Sequence, residues 1–388
     1  MIIGAPSITR TGQTVRYAVR VRESRRPMPA ELWFEMPAEF ADHVTDKADA
    51  AVLGLLIPAM ETGEPLHAEG RVSRRLLTAL NDAYQKLLQP VLPHLRLIPV
   101  TAAEVTDEAY PEAAEVVTGY SGGVDSLTTL VRPRAADERP VSWLVHNEVG
   151  SHGSGPKARK IFQDRLERAR TAAGRLGVGL VGIDSNLAAF YSRELHFNAT
   201  HSARNVAAVM VLQRGAAVYE YSSGHPRHRQ VVKAPGDIAR IDEAALPLLS
   251  TESFRVKPTG AEYTWLQKLL LISEQPVTYG LLDVCVEPRK ARGRHNCSVC
   301  LKCLRAQFLL ETIGRLDRYD QVFDLRRYGR MRTFQIASML RGQLEQPDEL
   351  FHHALDQGLK IPRLARFYAL PGIYPVVRLF HRLVARLP

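Results

Sequence analysis

"VVTGYSGGVDSLTTL" occupies residues 116–130, and its reading decides the fold. Two β-branched valines lead into six consecutive small or polar residues, Ser121 to Ser126, which are followed by a short apolar run. That order predicts a strand over 114–120, a tight turn, and a helix over 124–131. A helix that starts on such a turn presents unpaired backbone N–H groups and the positive end of its dipole, and both favour an anion. Gly122 and Gly123 let the backbone approach a ligand closely, and Ser121 and Ser126 bring hydroxyl donors around Val124. Asp125 brings a carboxylate suited to magnesium or to ordering the turn. Phosphate is the expected occupant.

The pattern continues on the carboxyl side of the turn. "VSWLVHNEV" (141–149), "VGLVGIDSN" (178–186) and "AAVYEYSS" (216–223) read as strands, separated by helices over 156–177 and 202–215. Apolar strands alternating with helices predict an α/β fold with a doubly wound, mostly parallel sheet, which binds ligands at the carboxyl ends of its strands. Two other phosphate motifs fail here. "GSHGSGPKAR" (150–159) interposes Pro156 before Lys157 and lacks the Ser/Thr of a Walker loop, and no G-x-G-x-x-G follows any strand.

All four cysteines fall between 285 and 303, with spacing C-x11-C-x2-C-x2-C. In a long chain, clustering of this kind argues for a metal over disulfides. Cys285, Cys297, Cys300 and Cys303 suit a tetrahedral zinc site. An iron–sulfur cluster competes, although the next position of a ferredoxin run holds Gln307. Unliganded thiols are the third reading.

These residues carry a resemblance. Ser121, Gly122, Gly123, Val124, Asp125 and Ser126 resemble the S-G-G-x-D-S signature of the N-type ATP pyrophosphatases, the PP-loop superfamily. "GRHNCSVCLKCLRAQFLLE" after "DVC" is similar to the zinc region of the 7-cyano-7-deazaguanine synthase family of the queuosine pathway, and "ARN" (203–205) to a short Arg-Asn element there. The resemblance covers roughly residues 114–312, and this chain has additional segments on either side of that core. It implies an enzyme that binds ATP, magnesium and zinc. Such an enzyme adenylates a carboxylate or amide with loss of pyrophosphate, then forms a C–N bond with loss of AMP. On that reading residues 121–126 hold the phosphates, Asp125, Ser126 and Arg204 serve catalysis, and the cysteines brace a lid. The implied partners are a small carboxylate or deazapurine-like substrate and an ammonia or amine donor. No N-terminal cysteine nucleophile for a glutaminase is present.

Three segments are expected: an N-terminal α+β module over 1–110, the nucleotide-binding domain over 111–285, and a zinc-bearing, basic helical region over 286–388. Their net charges are −2, +2 and +10. The concentration of positive charge at one end suggests an anionic partner, a nucleic acid among them, and supports a rival reading as a tRNA-modifying amino or sulfur transferase. A zinc-stabilised binding module without turnover is the non-enzymatic rival. "SSGHPRHRQVVKAPGD" (222–237) offers His225, Arg227, His228 and Lys233 near the sheet's carboxyl edge, most simply as a solvated loop. "VVRLFHRLVARL" (376–387) places Val376, Val377, Leu379, Phe380, Leu383, Val384 and Leu387 opposite Arg378, Arg382 and Arg386; a membrane surface or nucleic acid would suit it, and docking on its own core or on a second subunit of a homodimer is expected ahead of either. No run of 18 apolar residues and no secretory leader is read, so no membrane span and a cytoplasmic location are expected.

Overall fold

The strand–turn–helix reading of 116–130 is reproduced in a computed structural model, which describes residues 1–153, 155–230, 236–342 and 347–384. The strand is Glu115–Gly119 and the helix Val124–Val131. Among the described residues eleven strands run in chain order: β1 (Ile2–Ile3), β2 (Ser7–Thr11), β3 (Thr14–Arg22), β4 (Glu31–Pro37), β5 (Leu66–Ser73), β6 (Val100–Thr106), β7 (Glu115–Gly119), β8 (Trp143–Asn147), β9 (Gly179–Ser185), β10 (Ala216–Ser222) and β11 (Arg255–Thr259). They form one sheet in the order β11-β10-β7-β8-β9-β4-β3-β1-β5-β6, with β2 paired to β3. The expectation of an α/β protein with a mostly parallel sheet holds. Six of the strand pairs are parallel; the four antiparallel pairs link β2, β3 and β4 to one another, β1 to β3, and β4 to β9.

The parallel half positions the turn. Counting from β7, the chain adds β8 and β9 on one side and then β10 and β11 on the other. The direction of strand addition therefore reverses at β7, and a reversal of this kind opens a crevice outside the carboxyl ends of the strands. The helix Pro156–Leu176 packs on β8 and β9, and Phe197–Met210 packs on β8 and β10. β11 was not foreseen: its sequence, "RVKPT", carries a lysine and a proline, which an edge strand tolerates.

The compact units differ from the three expected segments. One unit comprises residues 1–121 and 132–262, the other 122–131 and 263–388. Residues 1–110 do not stand apart, because β4 pairs antiparallel with β9 through Phe34 opposite Ser185 and Glu35 opposite Asp184. Asn186 seals that seam. Its Oδ1 accepts the Trp33 N–H at 2.9 Å and its Nδ2 donates to the Glu31 carbonyl at 2.8 Å. The helix Asp49–Thr62 is apolar on every side, as a helix enclosed by protein must be, and it packs against Phe197–Met210. Leu53 and Leu56 thus share a core with Leu187, Val206 and Leu212.

The second unit gathers the helix Val124–Val131 with Trp265–Ser273, Leu301–Thr312, Leu325–Leu340 and the helices that follow. The last, Tyr374–Val384, docks within this unit, but through Tyr374 and His381, whose rings lie 5.8 and 4.6 Å from that of Phe334, and not through the apolar face expected to do so. Its Val376, Leu379 and Phe380 are exposed instead of buried. Leu387 and Arg386 lie outside the described residues, as do the side chains of Arg382, Leu383 and Val384. Among the described residues no helix is long and apolar enough to cross a membrane.

One buried acid in the first unit allows a test of this packing. Asp242 is fully buried; its Oδ1 accepts a hydrogen bond from Ser202 Oγ at 2.7 Å, while its Oδ2 has no partner among the described residues. Burial pushes its carboxyl up to about 7. A raised carboxyl favours the folded state at low pH, and that contribution fades as pH rises from the unfolded value near 4 through 7. Asp242→Asn removes the titration. The variant should therefore gain stability relative to the parent between pH 4 and 7.5, by up to about 4 kcal/mol. Paired thermal unfolding curves check this, and a difference that stays flat with pH would refute a neutral Asp242.

Candidate functional site

The turn after β7 is built to hold a tight conformation. Gly122 has φ +72°, in the left-handed region that side-chain-bearing residues avoid. The Leu127 N–H donates to the Gly123 carbonyl at 3.0 Å and closes the first helical turn, and Ser126 Oγ donates to the same carbonyl at 3.1 Å. Thr128 and Thr129 turn their hydroxyls back onto the carbonyls of Val124 and Asp125, at 2.8 and 3.2 Å. Polar side chains in this short helix are thereby satisfied locally.

Asp125 has a partner that sequence reasoning missed. Lys268 Nζ donates to Asp125 Oδ1 at 2.6 Å; the lysine side chain is 2% exposed and the aspartate 38%. Lys268 sits on Trp265–Ser273, a helix started by a capping box in which Thr264 Oγ1 accepts the Gln267 N–H and Gln267 Oε1 accepts the Thr264 N–H. That helix packs on Val124–Val131, and its Leu266, Leu269 and Ile272 are buried. In a helical pattern a lysine ordinarily marks the wet face. Only the fold shows that this one faces inward, so no signal in the chain could have singled it out.

The four cysteines come together as expected. All are buried, and their sulfurs lie within 4.8 Å of one another, with Cys300 to Cys303 at 3.3 Å and Cys297 to Cys303 at 3.9 Å. A tetrahedral four-sulfur site with ordinary zinc–sulfur bonds needs sulfurs about 3.8 Å apart, so the donor set and its spacing fit such an ion. Backbone N–H groups already point at the sulfurs: Glu287 and Cys297 donate to Cys285 Sγ at 3.3 and 3.4 Å, and Cys300 donates to Cys297 Sγ at 3.2 Å. Hydrogen bonding among the four thiols holds Cys300 below its ordinary value and pushes Cys285 and Cys303 up. Gln307 is no ligand. Its buried amide donates to the Ser298 and Cys303 carbonyls at 3.1 and 3.0 Å and braces the knuckle.

The turn and the cluster share one short segment. The Asp283 N–H donates to the Gly122 carbonyl at 2.7 Å, and Asp283 Oδ1 accepts the Cys285 N–H at 3.2 Å. Buried Asn296 fixes the same segment from behind: its Oδ1 accepts the Val284 N–H at 2.9 Å, and its Nδ2 donates to the Leu282 carbonyl at 2.7 Å. Residues 282–285 therefore connect the glycine turn to the first metal-ligating residue type in two hydrogen-bonded steps.

Arg204 is buried and bonded to backbone carbonyls. It lies in the first unit, 4% exposed, donating to the Val149 and Leu195 carbonyls at 3.2 and 2.9 Å and stacked 3.6 Å over the Tyr191 ring. A guanidinium spent on backbone carbonyls and an aromatic face braces the 149–150 bend; the phosphate contact expected for it has no support in these bonds. His225 pairs with Asp237 at 2.8 Å and Arg227 with Glu243 at 3.2 Å, in keeping with a solvated loop. Lys233 lies outside the described residues. Comparison with protein-family models, curated proteins and solved structures gives no match.

Two results are expected from these contacts. Asp125→Ala leaves the buried Lys268 ammonium without its carboxylate and should cost about 2 kcal/mol of stability, less than a fully buried pair would because Asp125 is partly wet. Lys268→Met added to Asp125→Asn should restore most of that loss; urea unfolding of both single variants and the double variant checks it, and strictly additive losses would deny the pair. Metal analysis of the purified full chain should find about one bound ion per chain, falling below roughly a tenth in Cys300→Ser or Cys303→Ser. Thiols that all react with a thiol reagent as fast as free cysteine would remove the metal reading.

Proposed function

We propose that this chain is an ATP-dependent, AMP-forming enzyme of the PP-loop kind, similar to the 7-cyano-7-deazaguanine synthase family, with zinc on Cys285, Cys297, Cys300 and Cys303. The observation that carries the reading is the S-G-G-V-D-S turn, which leaves β7 where strand addition reverses and has Gly122 in a left-handed conformation. Backbone N–H groups at the start of Val124–Val131 supply donors of the kind that bind phosphate at a helix N-terminus, and a reversal of strand addition is where open α/β sheets bind nucleotides.

The chemistry follows from the weakness of the leaving group. An oxygen of a carboxylate or amide leaves poorly. Its attack on the α-phosphorus of ATP breaks the α–β phosphate link, expels pyrophosphate and gives an adenylate. Ammonia or an amine then attacks the adenylated carbon, AMP departs, and the nitrogen gives up a proton. Ser121 to Ser126 hold the departing pyrophosphate by backbone N–H and hydroxyl donation, which counters charge where it builds up. Magnesium, when bound, supplies further positive charge to the phosphates. Zinc, when bound, would be held by Cys285, Cys297, Cys300 and Cys303 and would serve structure, since four sulfurs leave no open position for a substrate; the 282–285 segment ties Cys285 to Gly122.

Incubation of the full chain with ATP, magnesium and a panel of small carboxylic acids, with ammonia as nucleophile, should release AMP and pyrophosphate in equal amounts. Asp125→Asn, which preserves the shape of the turn, should lower that rate about a hundredfold when assayed below its own unfolding transition, with the circular dichroism of the parent. Release of ADP and phosphate instead, or nucleotide turnover unchanged in Asp125→Asn, would overturn the assignment.

A further inference from the structure

The last two described helices, Arg363–Tyr368 and Tyr374–Val384, carry an exposed surface unlike the rest of the chain. Both pack on Leu325–Leu340. Ala365, Tyr374 and His381 face inward and are buried. Leu364, Phe367, Leu370, Val376, Leu379 and Phe380 are between 48% and 68% exposed. The two helices adjoin, since the Phe367 ring lies 6.4 Å from Tyr368, Tyr368 lies 6.2 Å from His381, and His381 lies 5.7 Å from Phe380. A concentration of large apolar side chains in water on this scale marks an interaction surface.

The charge around it is one-sided. Residues 357–388 contain six lysines and arginines and no aspartate or glutamate. Arg363, Arg366 and Arg378 are exposed beside the apolar residues. We propose that this surface lies on an anionic lipid bilayer, with the six apolar side chains in the headgroup–acyl boundary and the arginines on lipid phosphates. The other occupants fit less well. Nucleic acid would account for the arginines, but a phosphate backbone gives nothing to six exposed leucine, valine and phenylalanine side chains. A second copy would cover the apolar residues, but a twofold contact would set this cationic surface against itself with no acidic residue between 357 and 388 to offset it. The protein would thus lie on the membrane without spanning it.

Flotation of the full chain with vesicles tests the proposal. The protein should float with phosphatidylcholine vesicles containing one-third phosphatidylglycerol, remain at the bottom with phosphatidylcholine alone, and detach as salt is raised. Leu379→Asp with Phe380→Asp should lower the bound fraction about tenfold, and so should Arg363→Glu with Arg366→Glu and Arg378→Glu. All five side chains are exposed, so both variants should keep the parent circular dichroism and melting temperature. No flotation on anionic vesicles, equal flotation on neutral ones, or binding unchanged in both variants would overturn the proposal. A dimer that Leu379→Asp with Phe380→Asp dissociates, or RNA binding lost on reversing the arginines while vesicles stay unbound, would give the surface to another occupant and overturn it equally.

Discussion

The turn depends on an ammonium group that the fold has taken out of water. Lys268 is almost wholly buried, and an isolated buried ammonium costs several kcal/mol. Its contact with Asp125 offsets that cost only while the helix Val124–Val131 stays against Trp265–Ser273 at a fixed rotation. A slip of one residue in either helix would turn one member of the pair about 100° away from the other. The pair therefore constrains the helix that begins at the glycine turn, and with it the direction of the N–H groups that precede it. Packing of Leu266, Leu269 and Ile272 supplies attraction, whereas the ion pair supplies register.

A second constraint acts on the other side of the turn. The Gly122 carbonyl is occupied by the Asp283 N–H, and Asp283 is tied in turn to Cys285 and framed by Asn296. The carbonyl is thereby held in one direction, and the φ of +72° that this requires explains why the position is glycine. The cysteines, 160 to 178 residues downstream of Asp125, are linked to the turn through this segment.

How much of this was legible can be argued from particular residues. The strands β7 to β10 and the helices between them announce themselves because a parallel strand buried on both faces is a continuous apolar run, and because glycine and serine punctuate each turn. The cysteine cluster was legible because chelation imposes short spacing. The helix Asp49–Thr62 was not, since "DAAVLGLLIPAM" has no amphipathic period, and Pro58 argues against a helix interior. The merging of residues 1–110 into the same sheet rests on two register pairs between β4 and β9, and pairing between strands distant in sequence leaves no local mark. Lys268 and Arg204 mislead in opposite directions. One looks solvated and is buried on the turn's aspartate; the other sits in a suggestive three-residue match and is spent on backbone carbonyls.

On the proposed reading, the hydrogen bonds around the turn also say what an arriving anion would exchange. Ser126 Oγ donates to the Gly123 carbonyl, a neutral bond worth about 1 kcal/mol. Rotation of that hydroxyl onto a phosphate oxygen replaces it with a charge-assisted bond roughly twice as strong. The Gly123 carbonyl loses little, because the Leu127 N–H remains on it as the first bond of the helix. The Gly122 carbonyl, by contrast, cannot swing into the phosphate's path without giving up the Asp283 N–H. A flexible glycine pair would let carbonyl oxygens face an anion as often as N–H groups. The tie to Asp283 biases that choice before any ligand is bound, so part of the ordering cost of binding has been met by the fold.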